Sequence, residues 1–254
     1  MNHAALNVAL YSSRGGYWTM TERGRRHVSR DRATLAIGPS ALRWTGTHLE
    51  ISIDEWTAPF PRRVKGTIRI HPKVVTRKHF LLDGDGRHAW WPIAPRARVE
   101  VDLTSPGLSW SGPGYLDMNA GDEPLERGFT RWDWSRADVG DGAAVLYDVM
   151  RRDGSPLTLG LHFDHTGGVS EFAPPGRVRL PSTPIWRIPR HTRAEGGHAT
   201  VVRTLEDSPF YARSVVATRL IGTDTAAMHE SLDLGRFAQA WVKALLPFRM
   251  PRKP

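Results

Sequence analysis

The chain has 254 residues, 40% of them hydrophobic, with ten tryptophans and a formal net charge of +9. It has no cysteine, which excludes disulfides, thiol nucleophiles and thiolate metal sites. No window reaches the roughly 18 apolar residues of a spanning helix, so membrane contact is expected to be peripheral.

In chain order, residues 6–11 and 17–22 read as two strands of a hairpin around a Gly15-Gly16 turn. Further strands are predicted at 34–37, 41–44, 49–56 and 64–70, with a tight turn inside 44–49. Asp83-Gly84-Asp85-Gly86 is another turn signal, followed by strands at 88–91, 97–103 and 108–110. Gly112-Pro113-Gly114 fits a turn. Beyond it, Tyr115 and Asp117 point the same way if their segment is extended. The second half predicts strands at 130–135, 143–151 and 157–163, then a proline-rich loop over 171–184. Strands at 183–188, 199–204 and 211–220 follow. Turn signals about every ten residues favour an all-β sandwich or barrel.

The best helix candidate is 235–246, with Phe237, Trp241, Ala244 and Leu245 on one stripe and Pro247 to end it. That stripe is expected to dock on the core; a basic surface anchor is the competing reading. A division near 104–113 gives two β units, 1–108 and 109–254.

Several familiar chemistries are not written here. Gly112-Pro113-Gly114 lacks the third glycine of a dinucleotide loop, because Asp117 stands in its place. Asp83 opens like a calcium loop, but its twelfth position is Ala94. His162 and His165 have no third ligand placed by spacing, so no metal is assigned. The positive charge is spread as arginines along the strands, without a nucleic-acid-binding motif; it suits an anionic membrane surface. Asp122, Glu123 and Glu126 read as an acidic turn pairing with Arg131 or Arg136.

The residues carry a resemblance. The segments HAALNVALY (3–11), TMTERGR (19–25), IGPSALRW (37–44), HAWWPIAPRARVEV (88–101) and GYLDMNAGDEPLERGFTRWDWSRA (114–137) are similar to the carotenoid 1,2-hydratases of purple photosynthetic bacteria. So are Ile53-Asp54-Glu55, AAVLYDV (143–149), RTLEDSPFYARS (203–214), MHESLDL (228–234) and LLPFRMPR (245–252). The resemblance implies two packed lipocalin-like β units, a fold shared with AttH-like proteins and some cofactor-free cyclases. It implies a hydro-lyase of carotenoid biosynthesis that adds water to the terminal C1=C2 bond of neurosporene or lycopene. Its partners would be a long apolar polyene, water and membrane lipid, with no cofactor and no nucleic acid. It would sit in the cytoplasm against the inner, photosynthetic membrane. Proteins of this kind start several tens of residues before the Asn2-His3 pair, so the first unit is expected to lack its first strands.

The chemistry can be set against the residues. Hydrating an unactivated alkene needs a strong proton donor, something that tolerates a tertiary cation, a placed water and an apolar slot. Asp117 is the candidate donor, since apolar surroundings keep a carboxyl protonated; the competing reading is a turn-capping Asp. Tyr115 and Trp90 can face the cation with their rings, or simply pack. His88 shares a strand face with Trp90 and can place water or relay a proton; a hydrogen-bonded structural histidine is the alternative. Trp132 and Trp134 are candidates for lining the slot, with plain core packing as the rival. Cyclisation or isomerisation of another terpenoid, and non-catalytic carriage of a carotenoid or lipid, remain the other two functional readings.

Overall fold

The computed structural model describes residues 3–12 and 15–253, so Asn2 of the Asn2-His3 pair lies outside them. β-Strand dominates and helix is sparse, as expected for an all-β protein. The contacts divide the chain into two compact units. One comprises Met1–Lys73, Ala97–Leu116 and Ala244–Pro254; the other comprises Val74–Arg96 and Asp117–Lys243.

The first unit is built on an antiparallel sheet. Its strands run in the order Val28–Arg30, Thr34–Ile37, Ser40–Trp44, Leu49–Trp56, Arg63–Pro72, then the Ala97 end of His88–Ser105. Period-two alternation drives Ile53, Val64, Val101 and Leu103 into one core with Leu6 and Val8 from the hairpin Asn7–Ser12/Gly15–Met20. On the solvent face Glu50 bridges Arg43 and Arg69 across neighbouring strands. Arg23 is buried and forms two parallel hydrogen bonds to the fully buried Glu55, at 3.0 and 2.7 Å. Removing either partner would strand the other charge in the interior.

The second unit is a seven-stranded antiparallel sheet. Its order is Val169–Glu171, Pro156–Phe163, Gly142–Arg151, Phe129–Val139, Thr223–Asp233, Tyr211–Leu220 and Thr200–Asp207. The central strand Phe129–Val139 sends Trp132 and Trp134 to one face and Asp133 and Ser135 to the other. On the Asp133 side, Ser231 donates to its carboxylate and Arg131 bonds it at 2.9 Å. The Arg131 guanidinium also donates to His191 Nδ1 at 2.6 Å, and His229 Nε2 lies 2.8 Å from the His191 carbonyl.

Four departures from the sequence expectations have physical reasons. Gly15 and Gly16 are not a turn but the first residues of the strand Gly15–Met20, with Gly15 at φ +112°. Residues 88–91 and 97–103 are parts of one 18-residue strand, His88–Ser105. Beside its prolines, Thr76 supplies polar contacts to the carbonyls of Pro92 and Ile93. Gly112-Pro113-Gly114 is likewise strand, inside Leu108–Gly121. A Cβ on Gly114 would lie 2.2 Å from Val99 Cγ2, so the glycine permits close approach rather than reversal. Residues 183–188 form a turn instead of a strand, closed by Thr183 N–H to the Ile188 carbonyl and Ile188 N–H to Thr183 Oγ1. The neighbouring loop contains an unexpected strand, Arg177–Leu180, paired with Arg190–Arg193.

The predicted helix is two pieces, Leu234–Phe237 and Ala240–Arg249, and the second continues through Pro247. Pro247 lacks an N–H, but Met250 N–H still closes on the Leu246 carbonyl at 2.8 Å. Of the expected stripe, Phe237 is half-buried against Phe210, with ring centroids 4.7 Å apart, while Ala244 is exposed. Val242 is the buried residue of the second helix, while Trp241 and Leu245 are exposed. No helix among the described residues is long and apolar enough to cross a membrane.

Candidate functional site

Strand alternation on Leu108–Gly121 puts Tyr115, Asp117 and Asn119 on one face. The fully buried Trp90 donates from Nε1 to Asp117 Oδ2 at 2.9 Å. Asp117 itself is half-buried, with the exposed Met118 and Asn119 beside it. It is therefore held by an indole on one side without being sealed from water.

Trp90 sits in an aromatic chain. Its ring lies 4.9 Å from Tyr147 and 5.4 Å from Phe80, both tilted. Tyr147 continues to Trp132 at 5.0 Å, and Trp132 meets Phe129 edge-on at 5.5 Å. The Tyr147 hydroxyl donates to Asn119 Oδ1 at 2.9 Å, which ties the acid-bearing strand to the central sheet of its own unit. Tilted ring pairs of this kind each contribute about 0.5–1.5 kcal/mol beyond the area they bury.

His88 is buried, and both of its ring nitrogens are taken. Nδ1 is 2.7 Å from Asp83 Oδ2, and Nε2 is 3.3 Å from the Glu123 carbonyl. A Cβ on Gly121 or Gly128 would come within 2.7 or 2.8 Å of the ring, and Phe129 meets it edge-on. The ring fits a slot that side chains would fill. Burial works to raise the Asp83 carboxyl, but the His88 hydrogen bond and the Arg87 N–H outweigh it and hold the group below the usual carboxylate range. The failed calcium loop is thus the anchor of His88.

The other candidates separate. Trp132 joins the aromatic chain. Trp134 is buried on the same face of its strand, opposite Tyr147 in the strand register. Tyr115 is half-buried and belongs to the first unit, two residues from the acid along the strand. The acidic turn does not pair with Arg131 or Arg136. Glu123 reaches Arg87 at 3.6 Å and Glu126 reaches Lys243 at 3.1 Å, while Arg131 and Arg136 pair with Asp133 and Asp138 on their own strand. Side chains two apart on a strand share a face, and that local pairing won.

Sequence reasoning missed Tyr147, Phe129 and Asn119 as neighbours of the candidates. The available signal was Tyr147, the one aromatic in AAVLYDV, which apart from Asp148 is made of small and aliphatic residues. A cavity of about 690 Å³ in the first unit, lined by Arg23, Arg26, His27, Arg63 and Lys253 among others, contains none of the candidates. Its charge is wrong for a hydrocarbon.

Comparison with known proteins gives a consistent result. The family model "Carotenoid hydratase CrtC" matches residues 1–254. An acyclic carotenoid 1,2-hydratase of Thiocapsa roseopersicina is 57% identical over 253 residues, 99% of this chain and 62% of that protein. The same enzyme of Rubrivivax gelatinosus is 48% identical over 99% of this chain and 62% of its own. That of Cereibacter sphaeroides is 44% identical, over 100% of this chain and 90% of its own. The chain thus spans 62% of the length of the first two relatives. Among solved structures, one described as an AttH from Nitrosomonas europaea has a TM-score of 0.59 at 13% identity, over 89% of this chain and 80% of that one. CghA has a TM-score of 0.51 at 11% identity, over 89% and 74%. At such identities these two speak for the fold alone.

Proposed function

The chain belongs to the carotenoid hydratase CrtC family, and we propose that it adds water across the terminal C1=C2 bond of an acyclic carotenoid of the neurosporene or lycopene type. One observation carries the reading: a carboxyl group fixed by a buried indole at the end of a wall of aromatic rings.

Asp117 donates its proton to C2, the less substituted alkene carbon. The O–H bond breaks, the π pair forms the new C–H bond, and C1 becomes a tertiary cation. Trp90 accompanies the step from one oxygen: its N–H donates to the carbonyl oxygen of the acid and more strongly to the carboxylate that forms. Trp90, with no exposed surface and packed against Phe80 and Tyr147, holds the acid and does not face the cation. Water attacks C1, and its extra proton returns to Asp117, giving the tertiary alcohol. The balance closes with polyene and water alone. Tyr147 and Trp132 give the hydrocarbon an apolar wall, with Trp134 farther along the same face. His88, with both nitrogens occupied, acts as a positioning residue for the Trp90 strand and not as a relay. The polyene is delivered by peripheral contact with the membrane that dissolves it.

The test is incubation of the full chain with lycopene in heavy-oxygen water. A labelled tertiary alcohol is expected, and Asp117→Asn should yield none. Stoichiometric pigment binding without alcohol would make the protein a carrier and sink the proposal. Normal turnover by Asp117→Asn would remove the acid from the mechanism.

A further inference from the structure

Hydration needs a water held beside the acid, and a polar side chain stands two places along the same strand. In Leu108–Gly121, Asp117 and Asn119 share a face. Each is clamped to a different ring of one aromatic wall. Trp90 Nε1 donates to Asp117 Oδ2 at 2.9 Å, and the Tyr147 hydroxyl donates to Asn119 Oδ1 at 2.9 Å. Those two rings are themselves packed 4.9 Å apart in the interior. The wall therefore fixes both the spacing and the direction of the two polar groups. All four residues belong to the second unit.

Tyr147 decides which way the Asn119 amide faces. Its ring is wedged between Trp90 and Trp132, at 4.9 and 5.0 Å, so the hydroxyl cannot follow a turning amide. With Oδ1 drawn to that hydroxyl, the planar amide presents its two Nδ2 hydrogens at the opposite corner. Asn119 is exposed and Asp117 half-buried, so water reaches both. Side chains two apart on a strand rise from backbone positions about 7 Å apart. A water that accepts from an amide N–H and donates to a carboxylate spans about 5–6 Å.

Placement matters because the cation has another fate. The carboxylate that made it can take a proton from C2 or from a methyl group and regenerate an alkene. Capture wins when the nucleophile is already held beside C1 at a high effective concentration.

We infer that Asn119, oriented by Tyr147, places the water that captures the tertiary cation. The inference rests on the proposed hydration and supplies its nucleophile. Asn119 Nδ2 donates to the water oxygen, whose other lone pair forms the C1–O bond. One water proton passes to the Asp117 carboxylate, and the tertiary alcohol remains. Tyr147 acts through Asn119 as a positioning residue.

The experiment incubates the full chain with detergent-dispersed lycopene in buffer containing dilute methanol. Three products are counted: the tertiary alcohol, the methyl ether from capture by methanol, and the isomer whose double bond has moved onto a methyl carbon. The unaltered chain should give chiefly alcohol. Asn119→Ala should raise the ratio of ether plus isomer to alcohol by about threefold or more, the effect of losing an ordinary hydrogen bond. Tyr147→Phe, which lets the amide turn, should raise it less. Asp117→Asn should give none of the three. An unchanged ratio in Asn119→Ala, whatever its turnover or melting temperature, leaves Asn119 a partner of the Tyr147 hydroxyl and overturns the inference. If that variant does not fold, Tyr147→Phe reads the same ratio, and no change there overturns it too. An unaltered chain that makes none of the products removes the hydratase reading, and the inference falls with it. Alcohol from the unaltered chain with an unchanged ratio in the variants removes the inference alone.

Discussion

Trp90 combines two properties in one side chain: a ring with no exposure, packed between Phe80 and Tyr147, and an N–H aimed at Asp117. They can be separated. Trp90→Phe keeps most of the packing and loses the N–H, so turnover should fall about ten- to a hundredfold, the ~1–3 kcal/mol of a hydrogen bond to a charged or reacting group. The loss should appear in kcat with little change in KM. Tyr147→Phe removes the hydroxyl that donates to Asn119 and should cost less than about tenfold, near the 0.5–1.5 kcal/mol of an ordinary hydrogen bond. The sequence singled out Asp117, Trp90 and His88 as candidates by their residue chemistry and strand spacing, inside segments that resemble a known family. Their bonding was not legible, since sequence spacing does not show that Asp83 would reach across its turn to His88.

Strands with clear alternation and bounded turns could be read almost to the residue, as at Leu49–Trp56 and Tyr211–Leu220. The failures lie where turn residues serve another end. Gly114 was read as part of a reversal because glycine and proline ordinarily punctuate; here it lets its strand approach Val99. Gly114→Ala should therefore destabilise the protein by about 1–3 kcal/mol, the cost of overpacking, measured by thermal or urea unfolding. The strand Thr223–Asp233 was missed for a different reason. Its buried face is Ala227, His229 and Ser231, small or polar side chains, while Met228 lies on the exposed face, so no hydrophobic period marks it.

At the scale of the whole molecule, two histidines, His191 and His229, link stability to pH. Burial, then the charges of Arg131 and Arg177, hold His191 down to about 4 against its ordinary 6.5, with Asp133 opposing. His229 is also lowered, mainly by burial. In the unfolded chain these rings take a proton near 6.5. Between pH 6.5 and 4 the unfolded state therefore binds more protons, and stability present at neutral pH drains away as the solution is acidified. The melting temperature should fall across that window. His191→Gln, which keeps an acceptor for Arg131 but cannot be protonated, should flatten the slope. None of this could be read from composition, because a histidine's environment is set by which strands its chain partners join.

The half-exposure of Asp117 bears on isotopes. On the proposed mechanism this carboxyl takes its hydron from the medium twice over, from the water that attacks C1 and, being half-exposed, from bulk solvent between cycles. In deuterium oxide each hydration would then write one deuteron onto C2, the carbon next to the new hydroxyl, while protium elsewhere on the polyene stays put. Mass spectrometry of the product would record how many ends of the molecule had visited the acid.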